Sequence, residues 1–126
     1  MNRLTLQRLD VIQKRLVRSV AESASVEFQR LGGGGYFRRQ THPHISPVGW
    51  HLGHCVYIEC LWIRRIVCGD NRLEVNLRSL YNAELSSKEM RGCRLPPCEE
   101  LVGWASDMMR EHHDILSGLS PLEKRN

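Results

Sequence analysis

The chain has 126 residues, the length of one domain, and carries a formal net charge of +4 from 18 Lys and Arg against 14 Asp and Glu. The basic residues are scattered, with Arg3, Arg8, Lys14, Arg15 and Arg18 reading as the solvated face of a first helix, and no nucleic-acid-binding motif accompanies them. The longest apolar stretch, Val48 to Ile63, is interrupted by His51, His54 and Glu59 and stops at Arg64-Arg65, too short and too polar to span a membrane.

In chain order, Leu9, Ile12, Leu16 and Val20 recur at helical spacing with charges between them, so an amphipathic helix is expected over 3–30. The four glycines 32–35 end it. They are neither preceded by a strand nor followed by the lysine and hydroxyl residue of a phosphate-binding loop, so they read as a hinge. "YFRRQTHPHIS" is then a loop, in which His42 and His44 are expected to be exposed. Ser46 is the expected N-cap of a second helix, with Pro47 at its first position, running to about Val67 and stopped at Gly69-Asp70-Asn71. A short helix is expected around 73–82, then a polar crossover. A third long helix is expected over 97–117, opening on Glu99 and Glu100 and closing at Gly118. No alternating strand pattern and no repeat is present. The class is all-α, with three long helices and an incomplete or substituted fourth.

Apolar side chains surround most of the second helix, so it is expected to be buried on nearly all sides, with Trp50, Trp62 and Trp104 in the core. Its two histidines, His51 and His54, lie on one face. On the third long helix Leu101, Ala105, Met108, His112 and Ile115 form a stripe, which turns His112 inward and His113 about 100° away. Inward histidines are either hydrogen-bonded core groups or metal ligands, and bundle metal sites are built from facing helices in this way. Two ligands do not suffice for zinc or iron. Glu59, the one acid of the central segment, needs a partner, with Arg64 and Arg65 nearby in sequence.

The five cysteines are Cys55, Cys60, Cys68, Cys93 and Cys98. The N-terminus reads as a helix and not as a signal peptide, so the expectation is reduced thiols in a cytoplasmic protein. Neither Cys55/Cys60 nor Cys93/Cys98 has zinc-knuckle spacing, and Cys55 reads as a buried, inert thiol despite its neighbour His54.

The run "SPVGWHLGHCVYIECLWIRR" resembles the second helix of the DinB-like domain that opens the ergothioneine-type sulfoxide synthases. The residues that carry the likeness are Ser46, Pro47, Trp50, His51, Leu52, Gly53, His54, Glu59, Leu61 and Trp62. A looser likeness continues through "LYNAEL", "LPPCEEL" and "HHDIL". The resemblance implies an up-down helical bundle in which His54 matches an iron-ligating histidine. His51 matches a variable aspartate-or-histidine position, expected to serve a structural or supporting role. The family's His-x-x-x-His-x-Glu motif and its large catalytic domain are not in this sequence. The expectation is therefore a domain that forms no carbon–sulfur bond by itself: a fragment, a relative that has lost its metal, or a subunit completed by another chain. The expected metal is iron(II) or another divalent ion at His54, His112 and His51, or none as the chain stands. The alternatives are a small metal-dependent enzyme of thiol-transferase type, completed by dimerisation, and a non-catalytic interaction module. A missing fourth helix leaves a groove that a homodimer or partner chain would cover, unless 72–95 folds back with Leu77, Leu80 and Tyr81 inward.

Overall fold

The structure, a computed structural model, describes residues 2–31, 38 and 46–125, and every described element is helical. Helix α1 spans Arg3–Leu31 and α2 spans Val48–Glu59, continuing without a break as a π-helix over Cys60–Val67. Helix α3 spans Arg72–Tyr81, a single 3₁₀ turn spans Lys88–Met90, and α4 spans Cys98–Arg125. The tetraglycine and the His42 and His44 loop lie outside the described residues.

The boundaries follow from local chemistry, with two corrections. Gly69 holds φ +73°, the left-handed conformation that a helix end favours in glycine, and it ends the π segment as expected. Gly118 does not stop α4, because a glycine permits a left-handed turn without compelling one, and α4 runs on to Arg125. Ser46 is not the N-cap either. That position falls to Pro47, and the Ser46 hydroxyl is taken instead by a guanidinium, the Arg91 Nη1 at 2.7 Å.

The core lies where α2 meets α4. Leu52, Val56 and Cys60 of α2 are fully buried against Leu101 and Ala105 of α4, with Val20 of α1 closing one side. A second cluster joins Leu6, Ile63 and Leu116. Short α3 folds back as a surrogate fourth member. Tyr81 is buried, while Leu77 and Leu80 pack half-buried against the core. Gly53 makes room for it, since a Cβ there would overlap the Tyr81 ring. Glu74 of α3 is 1% exposed and is held by Arg78 and Arg65 at 2.7 and 2.6 Å.

The π segment changes which side chains face which neighbours. Its wider turn advances each residue by less than the ~100° of an α-helix. Ile63 thus meets Leu6, Arg64 reaches α4 and Arg65 reaches α3. The expectation of an enclosed central helix is overturned. The central helix is not enclosed, for Ile58, Trp62 and Ile66 line its outer face at 36, 57 and 56% exposure. Trp50 is buried and Trp104 half-buried, but Trp62 is not core.

Candidate functional site

The three candidate histidines fall into two separate centres. The first sits at the start of α2. Trp50 is 3% exposed there, with its indole N–H donating to the Leu80 carbonyl at 2.7 Å and three side chains packed on its rings. His54 stacks on it at 4.9 Å between centroids, and His51 meets it edge-on at 5.5 Å. The Arg91 guanidinium lies over the same indole, 3.8 Å from its centroid. Among the described residues, Arg91 is buried with no carboxylate partner. It donates to the hydroxyls of Ser46 and Ser86 and to the carbonyls of Ala83 and Ser86.

His54 is half-buried, and its Nδ1 lies 2.7 Å from the Tyr81 carbonyl oxygen. A carbonyl only accepts, so Nδ1 carries the proton and Nε2 holds the lone pair of the neutral ring. Metal-ligating histidines are oriented by this kind of bond. His51 is exposed and bonds backbone at Ser46. Partial desolvation of its ring, then the neighbouring His54 and Arg91, lower its pKa below the ordinary 6.5, which keeps a nitrogen lone pair available near neutral pH.

The second centre is deep between α1, α2 and α4. His112 is 0% exposed, as the stripe on its helix requires, while His113 is half-buried at the α1 seam and donates to the Leu6 carbonyl. The His112 Nδ1–H donates to Glu59 Oε1 at 2.7 Å, and the Gln13 amide donates to Glu59 Oε2 at 3.0 Å. On the other side, Arg64 Nε donates to His112 Nε2 at 2.9 Å, and the same guanidinium reaches Glu111 at 2.8 Å. Glu59 therefore finds Gln13 and His112, and neither of the arginines near it in sequence.

This chain of groups superficially resembles a nucleophile–base–acid triad, since Cys60 Sγ lies 3.8 Å from His112 Nε2. Its chemistry does not suit that role. Burial pushes the Cys60 thiol up to about 11, and the lone pair that would accept its proton already accepts from Arg64. The same bond occupies the nitrogen that His112 would offer a metal. Cys55 is half-buried with its pKa raised by burial and then by Glu59, so it too is protonated near neutral pH.

The structure thus brings His51 and His54 together around Trp50 and sets His112 apart. Among the described residues no three His, Cys, Asp or Glu side chains form a group that could hold a metal ion. Sequence reasoning missed Gln13, Arg64, Cys60 and Arg91. A signal existed for Gln13, because the lone acid of an otherwise apolar segment demanded a partner. Nothing local marked Arg91.

The chain matches no protein-family model, no curated protein and no solved structure. No helix among the described residues is long and apolar enough to cross a membrane.

Proposed function

We propose that this chain is a DinB-like up-down helical domain, related to the N-terminal domain of the ergothioneine-type sulfoxide synthases, that binds a divalent cation such as iron(II) through His54. The observation that carries this reading is the bond from His54 Nδ1–H to the Tyr81 carbonyl, which leaves Nε2 as the ligating atom. His51, one turn away with its pKa lowered, is the second donor. His112 drops out of the set, because Arg64 holds its Nε2.

In this reading the chain's own residues bind and orient, and they do not catalyse alone. His54 holds the cation, Tyr81 fixes the ring of His54, and Trp50 packs flat against that ring and supports it. Two histidines leave most positions of a divalent ion open, so a completing group has to come from elsewhere. No step of carbon–sulfur bond formation is assigned to this chain.

Calorimetric titration of zinc and of anaerobic iron(II), on protein purified without an affinity tag, tests the proposal. Binding is expected in the parent chain, lost in His54→Ala, weakened in His51→Ala and retained in His112→Ala if that variant folds. Unchanged binding in His54→Ala, or none in the parent, overturns it.

A further inference from the structure

The outer face of α2 is apolar, uncovered and edged by positive charge. Ile58, Trp62 and Ile66 succeed one another at spacings of four residues, and Ile12 of α1 is 63% exposed. Gln13 bonds Glu59, and Leu9 packs on the cluster that holds Ile63, so Ile12 flanks the outer side of the same α1–α2 seam. Arg8 and Arg15 precede and follow Ile12 on its own helix face, both exposed and without an ion pair among the described residues. Glu59, next to Ile58 in the chain, is already held by Gln13 and His112. At the far edge Arg65 is half-exposed and bound to Glu74.

We infer that this face is a docking site for an acidic amphipathic helix of a partner protein, with Trp62 as its anchor. The inference does not depend on the metal reading. Two physical arguments select the occupant. The four apolar side chains expose roughly 400 Å², so two copies would bury only about 800 Å² of it, below the ~1,200 Å² at which stable interfaces begin. Charge separates the candidates further. An antiparallel second copy sets Arg8 and Arg15 against the same arginines, whereas carboxylates flanking an apolar stripe on a helix neutralise both. A helix laid along Ile66, Trp62, Ile58 and Cys55 spans about three turns of α2, the length over which helix-in-groove recognition uses its spaced anchors. Trp and Arg are also the side chains that most often carry binding energy.

A display library of amphipathic helices of about 18 residues, with a leucine stripe and flanks of Glu, Lys or Ser, is selected against the full chain. Glu-flanked peptides are expected to be enriched about tenfold or more over Lys-flanked ones, with affinity falling as salt rises. The R8E/R15E variant is expected to invert that preference, and Trp62→Ser to abolish selection while its far-ultraviolet circular dichroism stays helical. R8E/R15E alters only exposed side chains, so it decides the matter even where Trp62→Ser misfolds. Equal enrichment of Glu and Lys flanks overturns the inference, and so does the absence of any selected peptide. A dimer in sedimentation that Trp62→Ser dissociates also overturns it, by assigning the face to a second copy.

Discussion

Glu59 and His112, 53 positions apart in the chain, meet at 2.7 Å across the α2–α4 packing, and each has its remaining side occupied, Glu59 by Gln13 and His112 by Arg64. No described side-chain polar atom in the interior is left without a partner. A satisfied buried network contributes modestly while intact and costs a great deal when half removed.

Glu59→Ala leaves the His112 N–H and the Gln13 amide without acceptors, and is expected to destabilise by about 2–4 kcal/mol in urea unfolding. His112→Ala is expected to cost a similar ~2–4 kcal/mol, adding a cavity to the stranded carboxylate. The double variant is expected to fall well short of the sum, because both single variants break the same unit. Strict additivity would show that the two groups do not act as a pair.

His51 predicts a pH dependence of stability with a definite sign. Its pKa is lowered in the folded chain from the ordinary 6.5, by partial desolvation first and then by His54 and Arg91. On acidification the unfolded chain therefore takes up the proton first, so the stabilisation is full above pH 6.5 and is lost as the pH falls below it. Thermal unfolding followed from pH 7.5 to 5 is expected to show a shallower fall in Tm for His51→Asn than for the parent. An equal or steeper fall contradicts it.

Gly53 is where α2 lets α3 approach. Alanine at that position overlaps the Tyr81 ring, and Tyr81 is itself buried and stacked on Trp104 at 6.2 Å. Gly53→Ala is expected to cost about 1–3 kcal/mol from overpacking, despite the ~1 kcal/mol by which alanine favours a helix over glycine. Near-ultraviolet circular dichroism should change with it, as the Tyr81–Trp104 contact is displaced. A gain in stability would mean that α3 can retreat freely.

Arg91 joins the 82–97 crossover to the start of α2 through two hydroxyls, two carbonyls and the face of Trp50. Lysine carries the charge but not the planar fork that reaches these acceptors together. Arg91→Lys is therefore expected to lose about 1–3 kcal/mol in chemical denaturation, close to the loss in Arg91→Met. Full rescue by lysine would reduce the role of Arg91 to its charge.

The elements themselves are written locally. Periodicity from Leu9 to Val20 and from Leu101 to Ile115 places α1 and α4, and the phase of the second stripe correctly turns His112 inward and His113 to the seam. Gly69 stops its helix because only glycine takes that φ at little cost. What periodicity cannot carry is the identity of partners across the interior. Arg64 and Arg65 are neighbours on the π segment, whose altered phase aims one at His112 and Glu111 and the other at Glu74. The closing of a wider turn depends on the packing around it, and a hydropathy pattern records no such choice. The apolar circumference of α2 is likewise a true sequence signal, but it states only that each side is fit to be covered. Which side stays open at Trp62 was decided by where α1, α3 and α4 found room, because burial is a property of neighbours and not of the helix that receives them.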